Sequence, residues 1–194
     1  MQAELGKTIA FDGPDGVGKT TQLELAAQSL RSRGLSVYAT HILGGTPIGE
    51  ALRNIIFSRL PRPPLTNLHI NLAIYQALAA DLAQHRRETD VILLDRSPLS
   101  LVAYQVFGDG LERKTGFAAC QDSIKALGLD AILVFTAPKE ILENRRSARH
   151  GKTSDYFEEQ MHTYHARTID GYAEAIEHFK PQTIEASDSI EQIH

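Results

Sequence analysis

An eight-residue pattern near the start of the chain constrains the fold more than any other feature of the sequence. Residues 13–20 read Gly-Pro-Asp-Gly-Val-Gly-Lys-Thr and match the pattern G-x-x-x-x-G-K-[S/T]. They follow a β-branched run at 7–11 and precede a segment of helical period at 19–33. Glycines let successive backbone N–H groups curl around an anion, and a helix start adds the positive end of its dipole. The pattern and its context therefore predict a strand–loop–helix unit that binds the phosphates of ATP or GTP.

Two side chains of this loop have a clear expected task. The Lys19 ammonium group is expected to contact the β- and γ-phosphates and offset their negative charge. The Thr20 hydroxyl is a hard oxygen ligand suited to Mg²⁺. The full set of candidates for binding the nucleotide is Gly13, Asp15, Gly16, Val17, Gly18, Lys19, Thr20 and Thr21. We therefore expect Lys19 to be catalytic and Mg²⁺ to be bound with the nucleotide.

The arrangement of apolar runs predicts an α/β architecture. Five runs rich in β-branched residues lie at 7–11, 36–40, 91–95, 131–136 and 182–185. The third and fourth are nearly continuous apolar strings, which is typical of strands buried on both faces of a parallel sheet. Segments of helical period separate the runs, at 19–33, 47–58, 65–88, 115–127, 139–149 and 154–179. This alternation predicts right-handed βαβ units in a doubly wound sheet, and residues 1–194 are expected to form one domain.

The buried run at 91–95 ends in an acid, Asp95, which Arg96 follows directly. Ligands of open α/β sheets bind at the carboxyl ends of the strands. An aspartate at that place can hold Mg²⁺ or its waters opposite Thr20, and an arginine presents a bidentate fork to a phosphate. We therefore expect Asp95 to be a catalytic metal ligand together with Thr20, and Arg96 to bind a phosphate.

A basic cluster at the end of the helical segment 139–149 predicts a lid. Its members are Arg145, Arg146, Arg149, His150 and Lys152. Arg145 and Arg149 lie four residues apart and so share a helical face. Neighbouring cations repel one another, which favours a segment that gathers around an anion. An arginine brought in by a closing lid contributes about 10³–10⁵ in rate to phosphoryl transfer, so both arginines are candidate catalytic residues.

Composition excludes several other classes of protein. The chain has 20 Lys and Arg against 24 Asp and Glu, and this mildly acidic balance argues against non-specific nucleic-acid binding. It has no run of 18 apolar residues and no apolar leader at its start, so no membrane association is expected. The single cysteine, Cys120, allows no intramolecular disulfide and indicates a reducing compartment. We expect a cytoplasmic protein.

Four segments together resemble the thymidylate kinases. They read FDGPDGVGKTTQ, GGTPIGEALR, DRSPLSLVAYQ and RRSARHGKTSDYFE, in the order and spacing of that family, and the C-terminal IEASDSIEQI is similar to its last strand and adenine-side turn. The likeness covers essentially the whole chain. It implies a P-loop NTPase fold of three layers, with a five-stranded parallel sheet flanked by helices and a small lid at about 145–156. It also implies a homodimer that transfers the γ-phosphoryl of ATP, with Mg²⁺, to a nucleoside 5′-monophosphate such as dTMP.

The resemblance also implies roles for individual residues. Asp15 matches the P-loop acid near the acceptor phosphate and Mg²⁺, and Arg96 matches the arginine that grips the monophosphate. Tyr104 matches the tyrosine that packs against the sugar, where it disfavours a ribose 2′-hydroxyl. The remaining matches are Ser100 and Gln105 beside the base, and Arg145 and Arg149 in a lid of the bacterial kind, with a register uncertainty of one or two positions.

Departures from the family pattern leave the acceptor base open. The family usually has R-E-P-G-G-T where residues 41–46 read His-Ile-Leu-Gly-Gly-Thr. The predicted helix 65–88 contains no Phe to stack on the base and no Arg before Arg86, and Leu101 replaces a small polar residue. Tyr75 either stacks in place of the absent Phe or packs within the helix layer. Apolar contacts discriminate between substrates far more weakly than hydrogen bonds do.

Two alternative functions follow from the same residues. A deoxynucleoside kinase would act on an uncharged 5′-hydroxyl and would need a base to remove its proton. A catalytically weak nucleotide-binding regulator would bind ATP and transfer no phosphoryl group. The candidate lid arginines and the Asp95–Arg96 pair argue against the regulator, because nucleotide binding alone does not require them.

Overall fold

The computed structural model describes residues 5–58, 60–150 and 155–194, and for 146–150 and 155–162 it describes the backbone alone. The strands within these ranges are β1 (Lys7–Asp12), β2 (Val37–His41), β3 (Val91–Asp95), β4 (Ala131–Thr136) and β5 (Gln182–Glu185). The α-helices are α1 (Lys19–Ser32), α2 (Pro47–Ile56), α3 (Pro64–His85), α4 (Leu99–Leu101), α5 (Arg113–Leu127), α6 (Lys139–His150), α7 (Asp155–Phe179) and α8 (Ile190–Ile193). A π-helix, Val102–Gly108, continues directly from α4.

The five strands form one parallel sheet in the order β2-β3-β1-β4-β5. Each predicted strand is present with its bounds shifted by at most one residue, which confirms the expected α/β fold. The register pairs Asp95 with Phe11 on β1 and with His41 on β2. The ends of three strands therefore lie side by side at the edge of the sheet where the loop at 13–18 begins.

Two apolar layers cover the sheet, as the continuous apolar strands predict. On one face Ala10, Ile92 and Leu94 pack against α3. On the other face Phe11 and Leu93 pack against α1 and Val17 of the loop. Because neighbouring residues of a strand point to opposite faces, both faces need apolar side chains, and the alternating polar positions of a half-exposed strand are absent from β3. The result is the three-layer arrangement.

The long helices lie where the apolar pattern places them, with bounds that differ by a few residues. α3 begins at Pro64, since proline suits the first helical turn, where its missing N–H would have no partner. Its buried face carries Leu68, Tyr75, Leu78 and Leu82. Among the described helices, none combines the length and the apolar character needed to cross a membrane.

Three elements were not predicted from the sequence: α4, the π-helix and α8. In the π-helix the Asp109 amide donates to the Tyr104 carbonyl, five residues back. π-Helical turns often occur at functional sites, because the extra residue per turn redirects side chains. α7 packs along this π-helix. At the contact a Cβ on Gly171 would lie 2.7 Å from the Ala103 Cα, so only glycine permits the close approach.

Candidate active site

The loop at 13–18 is shaped for a phosphate chain. Gly13 has φ +140°, and a Cβ there would lie 2.4 Å from the Phe135 carbonyl oxygen, so no other residue fits. Gly18, with φ +99°, is the N-cap of α1, and no described side chain caps the helix there. The first N–H groups of α1 are therefore left for an anion, as the sequence pattern predicts.

Three charged side chains meet beside this loop. The Asp15 carboxylate lies 3.8 Å from the Lys19 ammonium and forms a short ion pair with the Arg96 guanidinium. Burial acts to raise the pKa of Asp15, but the charges of Arg96 and Lys19 outweigh it and lower that pKa. Burial lowers the pKa of Lys19, and the nearby Arg96 charge acts in the same direction. Asp15 thus holds two cations at the place where two phosphate groups would add negative charge.

Thr20 and Asp95 offer oxygen atoms to a divalent cation. The Thr20 hydroxyl donates to Asp95 Oδ2 at 2.6 Å, although the two residues are 75 positions apart in the chain. Mg²⁺ is usually held by one or two protein oxygens together with substrate phosphates and waters. A hydroxyl and a carboxylate beside a phosphate-binding loop fit that requirement. The expected metal ligands are therefore brought together.

Arg96 is held in an uncommon conformation at the end of β3. Its φ is +71°, in the left-handed region that residues with a Cβ rarely adopt. Nη1 donates to the hydroxyls of Ser100 and Tyr104 at 3.3 Å each, and to that of Tyr172 at 3.2 Å. The guanidinium also lies over the Tyr104 ring, 5.1 Å from its centroid. The side chain is 21% exposed, so these neighbours cover most of its surface.

The π-helix and α4 supply the three expected residues of the acceptor side. Tyr104 contacts Arg96 through its ring and hydroxyl, and burial raises its pKa. Ser100 is buried between Asp12 and Arg96. Gln105 is 9% exposed, and its Oε1 has no hydrogen-bond partner among the described residues. An unpartnered buried amide oxygen is costly, and this atom is the one buried polar group among the three residues whose bonding is incomplete in the part of the chain that the structure describes.

The loop that departs from the family pattern contains a contact between a histidine and a glutamate. His41 Nε2 lies 3.1 Å from Glu50 Oε1, and this pair packs on Gly44, where a Cβ would lie 2.3 Å from both atoms. Thr46 caps α2, since its hydroxyl oxygen accepts from the Gly49 amide at 3.0 Å. His41 pairs with Asp95 across the sheet, so this loop borders the acceptor side.

The two apolar candidates of the acceptor side lie in the core. Tyr75 and Leu101 are each 2% exposed and belong to the same apolar cluster as Leu78. Burial raises the pKa of Tyr75. This position matches the alternative in which Tyr75 packs within the helix layer. Leu101 packs in the same cluster. Its side chain is apolar, so it does not replace the polar group that the family pattern has at this position.

Arg145, one of the two arginines expected in the lid, binds backbone carbonyls at the base of α6, and its role in covering the transferred phosphoryl group stays a prediction. Its guanidinium donates to the carbonyls of Ala186 at 2.7 Å, Asp188 at 3.3 Å, and Val17 and Ser187 at 3.4 Å each. These bonds join the base of the predicted lid to the P-loop and to the turn after β5. Three of the four carbonyls belong to the turn that follows β5. The Arg149 side chain lies outside the described residues, so its role stays a prediction.

Sequence reasoning missed two residues of the site, Asp12 and Tyr172. Asp12 ends β1 fully buried, and its oxygens accept from Ser100 and from Tyr172. An acid at the end of an apolar strand is the same signal that singled out Asp95, so Asp12 could have been found. Tyr172 lies on α7, 76 residues after Arg96, and nothing local separates it from the other apolar-face residues of that helix.

These features define a class. A parallel sheet with a phosphate-binding loop after β1, and with an acid and an arginine at the end of β3, belongs to the P-loop phosphotransferases. The model of the thymidylate kinase family matches residues 11–194. The chain therefore belongs to the thymidylate kinase family.

Individual relatives agree with this assignment. The chain is 33% identical over 175 residues to the thymidylate kinase of Pelotomaculum thermopropionicum, which covers 86% of this chain and 78% of that one. It is 32% identical over 192 residues to the thymidylate kinase of Cupriavidus metallidurans, with 97% and 94% covered. A crystal structure of thymidylate kinase from Ehrlichia chaffeensis is similar in fold, with a TM-score of 0.69 over 94% of this chain and 93% of that one, at 21% identity.

Proposed function

We propose that this protein transfers the γ-phosphoryl group of ATP to dTMP and forms dTDP. The observation that carries the proposal is the position of Arg96, which is locked at the end of β3 next to Asp15 and Lys19. Asp15 pairs with Nη2 of the guanidinium, which leaves other N–H groups for a second anion, and the donor phosphates belong to the loop that Lys19 borders. A second anionic group, the acceptor monophosphate, is what a fixed arginine beside this loop fits.

The reaction needs no covalent intermediate with the protein. The acceptor phosphate oxygen attacks the γ-phosphorus in line, and ADP leaves, so the protein aligns two anions and offsets their repulsion. Amides of residues 16–20 with Lys19 hold the donor, and Arg96 with Asp15 orients the acceptor. Mg²⁺, held by Thr20 and Asp95, would neutralise charge on the phosphates. Arg149 and the rest of the lid at 145–156 are proposed to close over the transferred group.

Gln105 supports a pyrimidine imide as the acceptor base. We propose that the Gln105 amide turns toward the acceptor when dTMP binds, because its buried Oε1 accepts from no described residue and the N3–H of thymine is a donor of the matching kind. The Gln105 Nε2 group can donate to a thymine carbonyl next to N3–H. Hydrogen-bonded recognition of this type would restore discrimination that Leu101 and the apolar face of α3 do not supply.

A panel of acceptors tests the proposed function. ATP and Mg²⁺ are incubated with dTMP, dUMP, dCMP, dGMP, UMP or thymidine, and the products are separated by chromatography. We expect dTMP to give the highest kcat/KM, with thymidine inactive because it carries no phosphate for Arg96. Preferential phosphorylation of thymidine would establish the deoxynucleoside kinase instead. ATP binding without transfer to any acceptor would establish the regulator.

The surface around α2 supports a homodimer. Five large apolar side chains are exposed along α2, the connection that follows it and the start of α3, namely Ile48, Ile55, Phe57, Leu60 and Leu65. Ile48 and Ile55 are seven residues apart and share one face of the helix. A patch of this kind is typical of an interface. We expect light scattering to give twice the chain mass, and a Phe57→Asp variant to shift the mass toward one chain.

The buried thiol of Cys120 supports the reducing compartment that the sequence indicates. Cys120 is fully buried in α5, and burial raises the pKa of its thiol. A thiol of this kind is protonated and unreactive at neutral pH, as suits a small apolar group in a core. We propose that the protein works in the cytoplasm, where its nucleotide substrates are.

A further inference from the structure

A fully buried carboxylate that the proposed mechanism does not use lies directly behind Arg96. The oxygens of Asp12 accept six hydrogen bonds, and the residue has no exposed surface. The donors are the amides of Gly13, Ser97 and Ser100 at 2.8, 2.9 and 3.2 Å, and the hydroxyls of Ser97, Ser100 and Tyr172 at 2.7, 2.9 and 2.8 Å. A buried carboxylate is costly unless its oxygens are hydrogen-bonded, so these six donors account for the burial of Asp12.

Two of the amide donors fix the backbone that follows Arg96. The Ser97 and Ser100 amides bind Asp12 Oδ2, so the turn from β3 into α4 is tied to the end of β1. The Arg96 amide donates to the Phe11 carbonyl at 2.8 Å. A left-handed conformation in a residue with a Cβ costs about 1–3 kcal/mol and persists only where surrounding contacts impose it. Asp12 supplies those contacts on the side that follows Arg96, and the Phe11 carbonyl supplies the one to the Arg96 amide.

The hydroxyl donors fix the guanidinium. Ser100 and Tyr172 each have one hydroxyl proton, and both are within hydrogen-bonding distance of Asp12 Oδ1. When these protons point at Asp12, the lone pairs of both oxygens are free to accept from Arg96 Nη1, which lies 3.3 and 3.2 Å away. The two hydroxyl oxygens also lie 2.9 Å from each other, but a carboxylate is the stronger acceptor, so Asp12 sets the orientation of the two hydroxyls that receive Arg96.

We propose that Asp12 and Tyr172 are positioning residues that hold Arg96 in place for the acceptor phosphate. The inference rests on the proposed function. Neither residue needs to touch a substrate, since both act through the backbone turn and the hydroxyl groups that Arg96 contacts. Gly171 allows α7 to approach the π-helix closely enough for the Tyr172 hydroxyl to reach this group. A residue of the helix behind the predicted lid is thereby coupled to acceptor binding.

Tyr172→Phe tests the inference, because it removes one hydroxyl and keeps the buried ring. We expect the KM for dTMP to rise about tenfold, with the KM for ATP changed less than twofold. Tyr164→Phe is the matched control on the same helix, since its hydroxyl donates to Asp109 at 3.2 Å and not to Asp12. It is expected to leave both KM values within twofold. Equal rises in both KM values for Tyr172→Phe, or none, would overturn the inference.

Asp12→Asn provides a second test with a structural readout. Its amide NH₂ would face groups that donate, so the turn should lose its hold on Arg96. We expect a crystal structure of either variant to show Arg96 displaced or disordered while the loop at 13–18 is unchanged. An unmoved Arg96 in both variants would overturn the inference.

The two readouts separate this inference from the proposed function. Wild-type protein that fails to phosphorylate dTMP, with Arg96 displaced in the variants, would refute the function and leave the positioning role standing. An active wild type with an unmoved Arg96 would refute the positioning role alone.

Discussion

The donor and acceptor halves of the site are built in different ways. The donor half comes from one contiguous segment, residues 13–20, whose glycines and helix start create a phosphate site from backbone groups. The acceptor half gathers side chains from the end of β1, the P-loop, the end of β3, the π-helix and α7. A site made of backbone can be identified from a short pattern, whereas a site made of distant side chains depends on packing.

Removal of the Lys19 charge should have the largest effect. Lys19→Ala is expected to lower kcat by at least ~10², because charge stabilisation of the transferred group is lost. Steady-state assays with saturating ATP and dTMP measure this. Lys125→Ala, an exposed lysine on α5, is the control and should keep wild-type kcat. Near-normal turnover of Lys19→Ala would contradict the assignment of the donor half.

Replacing the guanidinium of Arg96 by an ammonium group should weaken acceptor binding selectively. Arg96→Lys keeps the charge but loses bidentate geometry, so the KM for dTMP should rise by about 10², with a much smaller change for ATP. Arg113→Lys is the control, since Arg113 pairs with Glu174 on the surface. Titration calorimetry with each nucleotide separately would check the split. A loss of ATP affinity as large as that of dTMP would abolish the distinction between the halves.

The pH dependence should follow Lys19 on the alkaline side. Burial and the Arg96 charge lower its pKa below the ordinary 10.5, and only the protonated form attracts the triphosphate. The kcat/KM for ATP should therefore fall as pH rises through that lowered pKa, about tenfold per pH unit beyond it. The pKa of Asp15 is also lowered, so this carboxylate should stay ionised into mildly acidic solution. A profile that stays flat up to pH 10.5 would contradict the assigned environment of Lys19.

Gln105 tests how the acceptor half distinguishes bases. Gln105→Leu should lower kcat/KM for dTMP about tenfold and reduce the preference over dCMP, because one hydrogen bond to the base is lost. The control is Gln22→Leu, a buried glutamine on α1 that donates to the Ile190 carbonyl. That variant should keep wild-type selectivity. If Gln105→Leu also keeps it, the base is selected by other groups.

The smallest effect is expected at the cap of α2. Thr46→Ala removes the hydroxyl that accepts from the Gly49 amide, and should lower the free energy of unfolding by about 1 kcal/mol. Urea denaturation measures it, with Thr46→Ser as the control that keeps the hydroxyl. Activity of the folded Ala variant should remain within a few-fold of wild type. A larger loss of dTMP affinity would show that this loop belongs to the acceptor half.

How much the sequence predicts depends on whether the signal is local. The five strands, the P-loop and the Thr20–Asp95 contact follow from patterns within one strand, loop or helix start, or from the rule that strand ends meet at one edge. The π-helix carries no such signal, because its residues are ordinary helix and strand formers. The carbonyls that receive Arg145 come from the turn after β5, over 40 residues away, so its placement depends on tertiary packing.

The central claim is that the triphosphate of ATP and the phosphate of dTMP meet between the P-loop amides and Arg96. A crystal structure with an analogue that joins adenosine and thymidine 5′ carbons through five phosphates tests it most directly. We predict that the adenosine-side phosphates lie within the loop at 13–18 and that the thymidine-side phosphate lies within about 3 Å of the Arg96 guanidinium. An analogue bound with its thymidine end away from Arg96, or with the loop empty, would contradict the account.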